Sequence, residues 1–198
     1  MTKDLPLIVG LGGTMRVGSS SEKALAVTLG MAQAIGARTL MFSGPALNME
    51  AYDPALPDRS ENARKLISAL READGVIISS PSYHGSVSGL LKNALDYTED
   101  LRDAHLPYLD NRAVGCIVCA DGAQAMGSTL ATLRSIIHAL RGWPTPYAAA
   151  INSNQKPFGA DGSINQPEVE NQLRTVAAQV VEFARRARNA QGVEAATH

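Results

Sequence analysis

The sequence predicts an α/β protein built on a doubly wound, five-stranded parallel sheet with helices on both faces. Strand-like apolar runs alternate strictly with helix-like segments along the chain. Each run is apolar throughout, instead of at every second residue, which is typical of parallel strands covered on both faces. A loop rich in glycine and serine follows the first run, and doubly wound sheets bind their ligands at such positions.

In the first half of the chain, the apolar runs predict strands at residues 5–11, 38–42 and 75–79. The segments that follow the first two strands have the character of helices, at residues 21–35 and 61–73. The first helix begins directly after the glycine- and serine-rich loop, so the chain opens with a strand, a loop and a helix.

In the second half, helices are expected at residues 88–101, 128–140 and 168–188, with strands at 113–119 and 147–151. The fourth strand is a run of β-branched and small apolar residues, which indicates burial. Two prolines directly after the single tryptophan mark the turn before the fifth strand. Three arginines close the last helix, where cations favour the negative end of the helix dipole.

Length and composition indicate a compact protein. With 198 residues and 45% hydrophobic content, the chain can bury one sizeable core, so we expect a single domain over residues 1–198, with about 190–198 as a disordered tail. The formal net charge of −1 offers no electrostatic footprint for nucleic acid. Since no apolar run approaches the ~20 residues of a membrane span and the N-terminus lacks a secretory signal, we expect a cytoplasmic protein without a membrane partner.

The loop at residues 12–21 has the composition of a phosphate-binding cradle. It combines glycines that let the backbone approach, hydroxyl and N–H donors, and the start of a helix, whose dipole favours an anion. Arg16 adds a guanidinium that can hold two phosphate oxygens. A merely flexible connection between strand and helix is the alternative interpretation.

The spacing of residues within this loop restricts which phosphorylated ligands it can bind. The Gly-x-x-x-x-Gly-Lys-Ser/Thr pattern of triphosphate loops is missing, and the glycines at positions 10, 12, 13 and 18 do not have the Gly-x-Gly-x-x-Gly spacing of a dinucleotide loop. A terminal monophosphate fits better.

Two further loops should lie at the same edge of the sheet. Residues 79–89, after the third strand, include an aromatic residue and an imidazole, and residues 119–128, after the fourth, are mostly small. Three such loops make a flat-bottomed cleft whose backbone amides can hydrogen-bond a planar heterocycle while the first loop holds its phosphate. This is the shape of flavin mononucleotide (FMN).

Cys116 and Cys119 have the Cys-x-x-Cys spacing of a redox pair or of half a zinc site. Within a buried strand, positions three apart point to opposite faces, so we interpret both thiols as small buried hydrophobic groups. His138 has no second ligand one helical turn away and is expected on a helix surface. No metal site is expected.

The two loop motifs together resemble a known family. Gly-Gly-Thr-x-Arg-x-Gly-Ser-Ser-Ser, followed by Pro-Ser-Tyr-His-Gly-Ser-x-Ser-Gly-x-Leu-Lys-Asn-Ala-Leu-Asp-Tyr, is similar to the motifs of the NAD(P)H-dependent FMN reductase family, which has the flavodoxin-like fold. The resemblance spans residues 7–183. Where this chain has Ser21 and His84 the family usually has asparagine, and where it has Ser82 the family often has glutamate.

The resemblance implies a set of cofactor-binding residues in three loops. Those expected at the FMN phosphate are Thr14, Arg16, Ser19, Ser20 and Ser21. Those expected along the flavin ring are Pro81, Ser82, Tyr83, His84, Gly85 and Ser86, with Asp121 and Gly122 from the third loop. N–H groups near Gly85 and Gly122 are expected to stabilise the reduced, anionic ring.

The resemblance also implies an enzyme in which hydride passes from NADPH or NADH to FMN and electrons pass on to a small-molecule acceptor. No catalytic side chain is expected, because the cofactor carries the chemistry. The alternatives are an NAD(P)H-dependent quinone, azo or metal-oxyanion reductase that uses bound FMN, or a flavodoxin-type electron carrier. Members of the family are usually dimers or tetramers, so a homodimer or homotetramer is expected, with residues 90–101 and 103–111 as the candidate contact surface.

Overall fold

The computed structural model describes residues 5–195, with side chains through residue 190. Its strands are β1 (Leu7–Gly12), β2 (Arg38–Ser43), β3 (Gly75–Pro81), β4 (Ala113–Ala120), β5 (Trp143–Pro144) and β6 (Ala149–Asn152). Its α-helices are α1 (Ser20–Ala34), α2 (Glu61–Glu72), α3 (Gly89–Asp96), α4 (Ala123–Ala139) and α5 (Pro167–Ala195). The sheet has the order β2-β1-β3-β4-β5, and β6 also pairs with β4. This parallel order is that of the flavodoxin-like fold, which confirms the predicted fold class.

The helices form two layers, one on each face of the sheet. Buried residues of α1 and α5, such as Leu25 and Val176, pack with Ile8 and Ile77 on one face. Buried residues of α2, α3 and α4 pack on the other face, together with strand residues such as Val9. Neighbouring strand residues therefore enter opposite layers, which is why each strand is apolar throughout.

The expected fifth strand, at residues 147–151, corresponds to β6, and an additional two-residue strand, β5, precedes it. β5 pairs with the start of β4 and β6 pairs with its end, from Ile117 to Ala120. Trp143 and Pro144, expected in a turn, are strand residues, because Trp143 N donates to Arg112 O at 2.9 Å and Thr145 N donates to Val114 O at 3.0 Å. Pro144 lies between these donors and has no N–H of its own.

Three helix boundaries differ from those expected. α4 begins at Ala123, five residues before the expected start at Ser128. α3 ends at Asp96, and a 3₁₀ helix (Tyr97–Leu101) completes the segment. α5 continues to Ala195, so the predicted tail at 190–198 coincides in part with this helix, and residues 196–198 lie outside the described residues.

Among the described residues, we find no helix with the length and apolar character needed to cross a membrane.

Candidate flavin site

A cleft of about 400 Å³ lies where β1, β3 and β4 end. Its lining includes the predicted residues Thr14, Arg16, Ser19, Ser20, Ser21, Pro81, Ser82, Tyr83, Asp121 and Gly122. The structure therefore brings parts of all three predicted loops together at one edge of the sheet. Of the predicted residues, His84, Gly85 and Ser86 fall outside this lining and continue the loop beyond Tyr83.

Backbone hydrogen bonds connect the first loop to β3 and to the residue that follows β2. Gly13 N donates to Ser79 O at 2.8 Å, and Gly44 N donates to Thr14 O at 3.1 Å. The buried Thr14 hydroxyl accepts a hydrogen bond from Arg16 N at 3.1 Å. Residues 15–18 are exposed, so the Arg16 side chain, which also lines the cleft, is accessible to an anionic ligand.

The start of α1 supplies donors for such an anion. Ser19 is the N-cap, and its hydroxyl accepts a hydrogen bond from Glu22 N at 3.2 Å. Ser20 and Ser21 are the first residues of the helix, so their N–H groups have no acceptor within it. These N–H groups, the serine hydroxyls, the positive end of the helix dipole and the Arg16 guanidinium together fit a phosphate monoester.

The second loop folds back on itself in a tight turn. Tyr83 and Ser86 exchange two backbone hydrogen bonds of 3.1 Å, and His84 and Gly85 between them have φ angles of +53° and +78°. Positive φ at both central residues is the signature of a type I′ turn. The Ser128 hydroxyl donates to Gly85 O at 2.7 Å, so the turn is fixed to α4.

The third loop is shorter than expected because α4 begins at Ala123. Gly122 is the N-cap of α4, which directs the positive end of this helix dipole toward the cleft. The Ser82 hydroxyl donates to Ala125 O at 3.0 Å and lies 2.6 Å from the Thr129 hydroxyl. The Ser82 N–H donates to Cys119 O at 2.9 Å, so both the side chain and the N–H of Ser82 are engaged within the protein.

Four further residues line the cleft that the sequence-based set omits: Cys119, Ala120, Ala125 and Ser153. The position of Cys119 and Ala120 at the end of β4 could have identified them. Ser153 follows β6 in a 3₁₀ turn, and the next residue holds the turn in place, since Asn154 Nδ2 donates to Asp121 O at 3.3 Å. The segment at 152–166 thus contributes to the wall of the cleft.

Neither cysteine is suited to redox or metal chemistry. Cys116 packs in one core layer and Cys119 in the other, as expected for positions three apart on a strand. Burial raises the pKa of each thiol to about 12, so both stay protonated near neutral pH. Among the side chains that the structure describes, those of residues 5–190, no group of three His, Cys, Asp or Glu could hold a metal ion.

The fold and the cleft define a class of protein, the flavodoxin-like flavoproteins, in which the ligand lies at the carboxyl edge of the sheet. Within this class, the chain belongs to the NADPH-dependent FMN reductase family, whose model matches residues 6–156. This confirms the family that the two loop motifs indicate. It also confirms the predicted activity, an NAD(P)H-dependent oxidoreductase that uses FMN.

Individual relatives are similar in sequence or in structure. An FMN-dependent NADPH-azoreductase of Staphylococcus aureus is 30% identical over 139 residues, which are 69% of this chain and 70% of that protein. The structure of FerB, a flavoenzyme NAD(P)H:(acceptor) oxidoreductase from Paracoccus denitrificans, superimposes with a TM-score of 0.73 at 20% identity, over 92% of this chain and 99% of that one. An NADH:FMN oxidoreductase in its apo form gives a TM-score of 0.67 at 19% identity, over 90% and 88% of the two chains.

Proposed function

We propose that this protein binds FMN in the cleft described above and uses NADPH or NADH to reduce it, with electrons passing to a small-molecule acceptor. The observation that carries the proposal is the meeting of three loops at one cleft in a chain of the FMN reductase family. FMN supplies the redox chemistry: it takes a hydride from the nicotinamide and releases electrons to the acceptor.

The residues of the chain bind and orient the cofactor. In this proposal Thr14, Arg16 and the serines at 19–21 hold the phosphate at the start of α1. The backbone of residues 81–86 and of Asp121 and Gly122 follows the flavin ring, and N–H groups near Gly85 and Gly122 stabilise negative charge on it. The three loops would hold the ring within the cleft, and Tyr83, a lining residue that is 54% exposed, would lie on its solvent side.

An azo compound is the first acceptor to test, because the similar protein from Staphylococcus aureus is an FMN-dependent NADPH-azoreductase. A quinone or a metal oxyanion would enter the second half of the cycle in the same way. Three properties stay predictions: a cytoplasmic location, assembly as a homodimer or homotetramer, and a single domain over residues 1–198.

The test is an anaerobic absorbance titration of the purified protein. FMN is added to the apoprotein first, then NADPH or NADH, then an azo dye or a quinone. We expect bound FMN to bleach much faster than free FMN under the same conditions and to recover its colour when the acceptor is added. Binding without bleaching would favour an electron carrier, and no binding would refute the proposed cofactor site.

A further inference from the structure

Glu22, in the first turn of α1, connects three parts of the structure around the first loop. Its Oε2 accepts a hydrogen bond from Gly18 N at 2.5 Å, and its Oε1 accepts one from the Ser43 hydroxyl at 3.1 Å. Its own N–H donates to the Ser19 hydroxyl. The side chain therefore links the loop to the start of α1 and to the end of β2.

A carboxylate at this place carries an electrostatic cost for the proposed cofactor. The start of a helix stabilises one nearby anion through its dipole, but a phosphate bound there and the Glu22 carboxylate are both negative and repel each other. If binding the phosphate were the only requirement, a neutral residue would serve better at position 22. Another contribution of Glu22 must offset this repulsion.

That contribution is visible in the loop itself. Residues 15–18 are exposed, and Gly18 has φ +71°, so side-chain packing does little to fix this part of the chain. Three hydrogen bonds hold it: Arg16 N to the Thr14 hydroxyl, Ser19 N to Arg16 O, and Gly18 N to Glu22. The bond to Glu22 is the one of these three whose acceptor is charged. Hydrogen bonds to charged acceptors are stronger than those between neutral groups.

We propose that Glu22 is a positioning residue that holds the first loop in its phosphate-binding conformation before the ligand arrives. The inference rests on the proposed FMN site and goes beyond it. A loop that is already ordered loses less conformational entropy on binding, and this raises affinity. Glu22 acts through Gly18 and Ser43, and it needs no contact with the cofactor.

The experiment measures the dissociation constants of FMN and of riboflavin, which lacks the phosphate, by flavin fluorescence with the apoprotein. We expect Glu22→Ala to raise the Kd of FMN about tenfold, the lower end of the range for a hydrogen bond to a charged group, because this bond is exposed to solvent. The Kd of riboflavin should change less than about twofold, because riboflavin has no phosphate to bind to the first loop. Glu22→Gln keeps an acceptor for Gly18 N and loses the charge, so it should bind FMN more tightly than Glu22→Ala does.

The matched control is Glu61→Ala. Glu61 is also an acidic residue in the first turn of a helix, and its side chain pairs with Lys65 at the surface. We expect this variant to leave both Kd values unchanged. If Glu22→Ala does not fold, Ser43→Ala takes its place in the experiment. This variant removes only the contact with Glu22 Oε1, so it should raise the Kd of FMN by part of the effect expected at Glu22, about threefold.

An unchanged Kd of FMN in Glu22→Ala, or in Ser43→Ala where only that variant folds, would overturn the inference. An equal loss of FMN and riboflavin binding would also overturn it, because such a loss indicates general destabilisation. These results differ from failure of the proposed function, in which the wild-type protein would itself bind no FMN.

Discussion

Arg16 is an exposed cation in the first loop, where a planar guanidinium can pair with two oxygens of a phosphate. Replacing it by alanine leaves the backbone donors of Ser20 and Ser21 in place and removes only the charge-assisted bonds. We predict that Arg16→Ala weakens FMN binding by about 1.5–3 kcal/mol, the range for a hydrogen bond to a charged group. A fluorescence titration of the apoprotein measures this.

Arg174→Ala is a suitable control for this prediction. Arg174 lies on the exposed side of α5, paired with Glu170, so the variant loses the same charge outside the cleft. Riboflavin affinity should be the same in both variants and in the wild type. If Arg16→Ala bound FMN as tightly as Arg174→Ala does, the phosphate would have to bind elsewhere.

His84 has a left-handed backbone conformation, with φ +53°, in the two-residue turn at the mouth of the cleft. Asparagine tolerates this conformation better than most residues do, whereas a β-branched residue is strained in it. We predict that His84→Val lowers the free energy of unfolding by about 1–2 kcal/mol, and that His84→Asn leaves it equal or raises it. Urea denaturation of the apoproteins measures both. Equal losses in the two variants would show that an imidazole contact, and not the backbone, decides stability here.

Among the elements, α5 and β4 make an especially close contact at Gly115. A Cβ atom at this position would lie 2.6 Å from Val176 Cγ1 and 2.9 Å from Val180 Cγ2, and all three residues belong to the buried interior. Because neither valine can rotate away without disturbing the packing of α5, we predict that Gly115→Ala destabilises the fold by about 1–3 kcal/mol.

Gly30 provides the opposite case for comparison in the same denaturation experiment. It lies on the exposed side of α1, and a Cβ atom there would meet nothing within 4 Å. Gly30→Ala should therefore stabilise the protein by about 0.5–1 kcal/mol, because alanine is the better helix former. A stabilising Gly115→Ala would show that α5 can move away from the sheet at little cost.

The element boundaries that the sequence did not predict have physical causes. The sequence predicts a later start for α4 because the first turns of this helix contain Gly127 and Ser128, which are common in loops. In the structure a Cβ atom on Gly127 would meet nothing within 4 Å. The missing side chain therefore removes no packing contact, and the cost of Gly127 is only the low helix propensity of glycine. β5 contains two residues and is too short for any periodic pattern, since its existence depends on pairing with β4.

At the scale of the whole molecule, the topology and most of the cleft could be predicted because each strand, loop and helix is a local pattern, and parallel strands bring their carboxyl ends to one edge. Ser153 could not be predicted in this way. It reaches the cleft through the Asn154–Asp121 hydrogen bond, a tertiary contact between segments with no shared pattern. The Glu22 contact with Ser43 is tertiary in the same sense, whereas its contact with Gly18 is local, four residues back along the chain.

The long connection between β2 and α2, residues 44–60, also depends on a tertiary contact, an ion pair with the 3₁₀ helix that follows α3. Arg59 makes a two-pronged bond with Asp100, from Nε to Oδ2 at 2.7 Å and from Nη2 to Oδ1 at 2.8 Å. Its guanidinium also lies over the rings of Tyr52 and Tyr97, 4.7 and 5.5 Å from their centroids. The Arg59 and Asp100 side chains are 12% and 23% exposed, so solvent screens this pair less than the surface pairs.

The hydrogen bond from Arg59 lowers the pKa of Asp100, and this makes the stability of the connection dependent on pH. A carboxyl group with a lowered folded-state pKa stabilises the protein above its unfolded pKa of about 3.9, and this contribution is lost as the pH falls through the folded value. We predict that Arg59→Ala lowers the free energy of unfolding by about 2 kcal/mol at pH 7, with the difference from wild type shrinking below about pH 4. Urea denaturation of both proteins between pH 3 and pH 7 measures this. If the difference in unfolding free energy stayed constant over that range, Arg59 would stabilise the protein through its contacts with the tyrosine rings and backbone carbonyls, and not through Asp100.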